Sequence, residues 1–169
     1  MTDPEFSRPI DLRHFAEGTL ELEATEQERK ALARRFGLVS IGSIQATLAL
    51  QADGEAIDGK GRLKAAIVQS CAISGEDLSV TIDEPLTFRF VPEAPIDEEE
   101  LELEAGDLDE IPYSGQSIDL GEAVAQSLAL AIDPYATGPN ADRARKEAGL
   151  LDEASSGPFG ALAALKKSD

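Results

Sequence analysis

The stretch that most limits the fold is Lys64–Pro92, KAAIVQSCAISGEDLSVTIDEPLTFRFVP. In its second half Leu78, Val80, Ile82, Leu86, Phe88 and Phe90 share one parity, while Ser79, Thr81, Asp83, Thr87 and Arg89 take the other. Apolar side chains at every second position put one face of a strand in a core and the other in water. The first half follows the same rule, because Leu63, Ala65, Ile67, Gln69 and Cys71 share a parity. Cys71, the chain's one cysteine, therefore ends a strand, and the two strands join at a turn.

Other segments add to this sheet. Thr19–Ala24 sets Leu20, Leu22 and Ala24 against Glu21 and Glu23, and Leu38–Gln51 turns Ile44, Ala46, Leu48 and Leu50 inward. Phe6–Ile10 reads as a short edge strand limited by Pro9. Asp53-Gly54 and Asp58-Gly59 bracket a hairpin or flexible connection, and Ile111–Gly115 reads as a turn. Thr25-Glu-Gln-Glu28 has the spacing of a capping box, and the helix it opens runs to Gly37, a left-handed stop. A second helix follows Asp119, a candidate N-cap with Glu122 three residues on. Leu120, Val124, Leu128 and Ile132 recur along it, and Pro134 stops it. The expected fold class is α+β. It is built on an antiparallel meander of about five to six strands, open or barrel-like, with one helix after the second strand and one or two C-terminal helices.

The chain has 169 residues, enough for one domain with a real core. One cysteine and no secretory pattern predict a reducing, cytoplasmic setting, and no apolar run is long enough to span a membrane. The net charge of −18 is unevenly placed. Met1–Arg89 carries ten basic and fifteen acidic residues, Phe90–Asp142 carries fourteen acidic and no basic ones, and Arg143–Asp169 carries five and four. Residues 92–112 read as an acidic, flexible insertion, with a short strand as the alternative for Leu101 and Leu103. Residues 135–169 read as a polar linker and a short C-terminal helix with Phe159, Leu162 and Leu165 on its apolar face. A broad grip on a phosphate backbone is excluded for so acidic a segment, whereas a basic protein partner suits Asp97, Glu98, Glu99 and Glu100.

Few residues point to chemistry. His14 is the one histidine, so no histidine pair can hold a metal. Gly59-Lys-Gly-Arg62 lacks the remaining glycines and the helix of a phosphate loop. Gly106-Asp-Leu-Asp109 lacks a calcium-loop frame. Neither a nucleophile elbow nor a base beside Cys71 is apparent, so the chain is not expected to be an enzyme, and no cofactor or metal is expected. Arg29, Lys30, Arg34 and Arg35 form the densest basic patch, either a solvated helix face or a small contact for RNA or an acidic partner.

In order along the chain, a strand closing on Cys71-Ala-Ile-Ser74, the helix Ile118-Asp-Leu-Gly-Glu122 ending at Pro134, and the tail Pro158-Phe159 with Leu162, Leu165 and Lys166 resemble the YceD-like family. These are the large ribosomal RNA subunit accumulation proteins. Many members carry Cys-x-x-Cys at the turn, where this chain has Cys71 and Ser74, so no bound metal is expected at that turn. The resemblance implies an accessory role in large-subunit ribosomal RNA synthesis, processing or stability. It also implies a basic ribosomal protein or pre-ribosomal particle as partner. The alternative is an acidic interaction module or holdase unrelated to ribosomes.

Overall fold

The computed structural model describes residues 4–93 and 110–148. Its strands are β1 (Pro9–Asp11), β2 (Gly18–Glu23), β3 (Ser40–Asp53), β4 (Ala56–Ser70), β5 (Asp77–Pro92), β6 (Glu110–Tyr113) and β7 (Ser117–Asp119). Its helices are α1 (Glu26–Phe36), α2 (Leu120–Ala131) and α3 (Ala141–Glu147), with a 3-10 turn at Leu12–His14. β2 to β5 form the expected antiparallel meander, and β6 joins its far edge parallel to β5. β1 and β7 pair antiparallel as a separate ribbon. The five-stranded sheet is open, with β2 and β6 as its edges.

The period-two reading sorts the strands correctly. Ile44, Ala46, Leu48 and Leu50 of β3, Leu63, Ala65 and Ile67 of β4, and Ile82, Leu86, Phe88 and Phe90 of β5 are all buried. They form one core with Leu120, Val124 and Leu128 of α2, Leu32 of α1 and Phe6. Leu20, at the start of β2, stays more than a third exposed because its strand is an edge. Gln69, the buried polar residue on the inner face of β4, is satisfied by donating through Nε2 to the Asp133 carbonyl at 2.7 Å, which ties the end of α2 to the sheet.

Three local expectations are corrected. Asp58 and Gly59 lie inside β4, and the hairpin turns at Gly54-Glu55 with Gly54 at φ 63°. The glycines of Gly59-Lys-Gly61 answer to packing: a Cβ at Gly61 would sit 1.7 Å from the Thr47 carbonyl oxygen. Residues 110–112, read as the end of the acidic insertion, and residues 111–113, read as the start of a turn, form the edge strand β6. Pro112 is tolerated there because an edge strand is paired on one side alone, and the turn follows at Gly115, φ 76°. The N-terminal strand is Pro9–Asp11 rather than Phe6–Ile10, because Phe6 is fully buried in the core.

Candidate functional site

The motif Ile118–Glu122 is a clasp. Ile118 and Leu120 are buried. Between them Asp119 caps α2, accepting from the amides of Gly121 and Glu122 at 3.0 and 3.2 Å. The same carboxylate accepts from Ser7 Oγ at 2.6 Å and from the Arg8 amide at 2.7 Å, so one side chain holds both the helix start and the N-terminal strap. Gly121 lets that strap come close, since a Cβ there would lie 2.6 Å from the Phe6 carbonyl oxygen. Glu122 receives a two-pronged ion pair from Arg35 of α1 at 2.8 and 3.1 Å. Pro134 lies just beyond the end of α2.

Arg8 completes the clasp from the strap. Its guanidinium donates to both oxygens of Glu28 at 2.7 and 3.0 Å and to the Glu23 carbonyl at 2.9 Å. Glu28 also closes the capping box with Thr25 at the start of α1. Arg8, with the Thr25 amide, draws the Glu28 carboxyl down to about 2. Sequence reasoning passed over Arg8, because its partner lies twenty residues away and no period connects them.

The basic patch on α1 splits in two. Arg35 turns to Glu122 and to Glu5, 3.1 Å away, and its pKa is raised, chiefly by the hydrogen bond to Glu122. Lys30 is paired with Glu26 at 2.5 Å on the same helix. Arg29 and Arg34 instead line a groove of about 550 Å³ between α1 and the start of β3, with Ala33, Leu38, Val39, Ser40 and Ile41. Neither has an acidic partner among the described residues, whereas every other arginine of the chain is ion-paired. Arg29 gives Nη1 to the Ala24 carbonyl at 3.0 Å, and its buried Nε has no hydrogen-bond partner among the described residues. Val39 is half exposed beside it although its amide is fixed to the Val68 carbonyl at 2.9 Å. The sequence carries no signal for this split, because the carboxylates that draw Arg35 away lie 30 and 87 residues from it.

Cys71 is buried at the end of β4, in a turn closed by the bond from its amide to the Glu76 carbonyl at 2.7 Å. The amides of Ser74 and Gly138 each donate to its sulfur at 3.3 Å. The Ser74 side chain and amide, with the Gly138 amide, bring the thiol down to about 6 against the opposing effect of burial. Gly138 arrives from the segment leading into α3, which also packs on Leu78 and is joined to Glu76 by Asn140 at 2.8 Å. His14 sits on the surface beside Asp11. Among the described residues no group of three or more His, Cys, Asp or Glu is placed to hold a metal ion.

Asp97, Glu98, Glu99 and Glu100 and the tail around Phe159, Leu162 and Leu165 lie outside the described residues. No helix among the described residues is long and apolar enough to cross a membrane. Comparison with curated proteins and with solved structures gives no match. A family model described as large ribosomal RNA subunit accumulation protein YceD matches residues 59–166, well over half of the chain. The match takes in most of the β4–β5 hairpin, the Cys71 turn, the motif Ile118–Glu122 and α2, and the chain belongs to the YceD family of large ribosomal RNA subunit accumulation proteins.

Proposed function

We propose that the chain is a non-enzymatic accessory factor of large ribosomal subunit biogenesis, acting in the cytoplasm to support synthesis, processing or stability of large-subunit ribosomal RNA. The observation that carries this reading is the family match over residues 59–166. Several features favour a binding role over a catalytic one. Asp119 and Glu122, the carboxylates of the family motif, are committed to amides, a hydroxyl and a guanidinium that hold the fold together. Cys71 is buried and its hydrogen-bond partners among the described residues are Ser74 and Gly138 rather than a general base, while the chain's one histidine lies on the surface beside Asp11.

The charge distribution suggests the mode of action. Phe90–Asp142 carries fourteen acidic and no basic side chains, which suits a basic ribosomal protein far better than RNA. The test is recovery of ribosomal proteins by the tagged chain at low salt, with and without residues 97–110, together with the ratio of large- to small-subunit ribosomal RNA after depletion. Loss of recovery on deletion and a fall in large-subunit RNA are the expected results. Unchanged recovery sinks the acidic contact. A normal RNA ratio sinks the ribosomal role and leaves an acidic interaction module.

A further inference from the structure

We infer that the groove between α1 and the start of β3 is a docking site for a short acidic and aliphatic peptide segment of a partner protein. The inference stands on the groove alone and does not depend on the ribosomal reading. In a chain with 33 acidic and 15 basic side chains, an arginine without an acidic partner is an exception that needs a cause. The two exceptions among the described residues, Arg29 and Arg34, line the same groove. Among the described residues nothing accepts from the buried Nε–H of Arg29, a state that is costly unless an acceptor arrives. Lys30 and Glu26, also on the rim, neutralise each other and leave the two guanidinium forks as the net charge of the site.

The rest of the lining selects among anions. Leu38, Val39 and Ile41 make an aliphatic floor on which Val39 is 50% exposed. An aliphatic side chain between two carboxylates meets all of these features, since guanidinium forks pair with carboxylates in a two-pronged geometry. RNA fits less well, because no aromatic ring among the described residues lines the groove for base stacking. The volume of about 550 Å³ accommodates a few side chains.

The test is a fluorescence-anisotropy titration of the full chain with a short synthetic peptide alternating glutamate and leucine. A glutamate–serine peptide of equal charge and a single-stranded oligouridine serve as competing probes. Arg34→Glu is the principal variant, because Arg34 is exposed and has no side-chain partner among the described residues; Val39→Asp tests the floor, and circular dichroism checks that both fold. Saturable binding of the glutamate–leucine peptide is expected, weakened at least about tenfold by Arg34→Glu and by Val39→Asp, with the glutamate–serine peptide weaker than either leaves it. Absence of saturable binding, or binding that Arg34→Glu leaves unchanged, overturns the inference. Tighter binding of the oligouridine, lost in Arg34→Glu, makes the groove a nucleic-acid contact instead.

Discussion

Replacing Asp119 by alanine removes the acceptor on which the N-terminal strap and α2 both depend. Loss of the helix cap costs about 1 kcal/mol. The hydrogen bonds from Ser7 Oγ and the Arg8 amide end on a charged group and are half-buried, so the low end of about 1.5 kcal/mol each applies. The expected loss is therefore about 4 kcal/mol, a large share of a stability that is ordinarily about 5 to 15 kcal/mol. For a domain of this size it corresponds to a fall in Tm of roughly 8 to 16 °C. Asp119→Asn separates the cap from the charge. Asparagine caps as well as aspartate, and its Oδ1 keeps the amides of Arg8, Gly121 and Glu122, so about 1 kcal/mol should be lost. Urea unfolding followed by circular dichroism gives both values. Hydrogen exchange at the Leu120 amide, which donates to the Arg8 carbonyl at 3.1 Å, reports the strap directly. If alanine costs less than about 0.5 kcal/mol, or asparagine costs as much as alanine, Asp119 is not the joint described above.

Gly121→Ala should detach the strap, at a cost of about 1 to 3 kcal/mol, because its Cβ meets Phe6 and Arg8 backbone at 2.6 and 2.9 Å; faster exchange over Phe6–Asp11 is the readout. Glu28 has a depressed carboxyl, so the stability it contributes is present above its ordinary pKa near 4.5 and is lost as pH falls toward about 2. Glu28→Gln should flatten that acid limb by about 1 kcal/mol or less, since the Arg8 pair is partly exposed; an unchanged limb would place the acid sensitivity elsewhere. Alkylation of Cys71, measured under mild denaturant that opens the turn transiently, should show a half-point near pH 6, and Ser74→Ala should move it toward the ordinary thiol range. A wild-type midpoint already in that range would mean that Ser74 does not act on the sulfur.

Much of the sheet was legible because strand burial has a short, local period. The parities of Leu63–Cys71 and Leu78–Phe90 match the buried faces of β4 and β5, and the capping box at Thr25 and Glu28 forms as its spacing requires. Errors fell where local residues obey a distant constraint. Asp58-Gly59 has the composition of a turn, but those glycines serve β4's approach to β3. Pro112 has the look of a breaker, yet β5 offers an edge beside it.

The site was legible only in outline. Sequence marked Arg29, Lys30, Arg34 and Arg35 as one patch and Ile118–Glu122 as a family motif, and it located the acidity in one segment. Tertiary structure decided what each residue faces. Arg35 is drawn to Glu122, 87 residues away, while Arg29 and Arg34 are left over a bare Val39. Asp119 proves to be a joint between the N-terminal strap and α2 rather than a cap alone. Periodicity reports which side of an element is buried, because that depends on local geometry. Partnership between charges depends on which elements the fold brings together, and for Arg8 and Glu28, or Ser7 and Asp119, only the closed core does so.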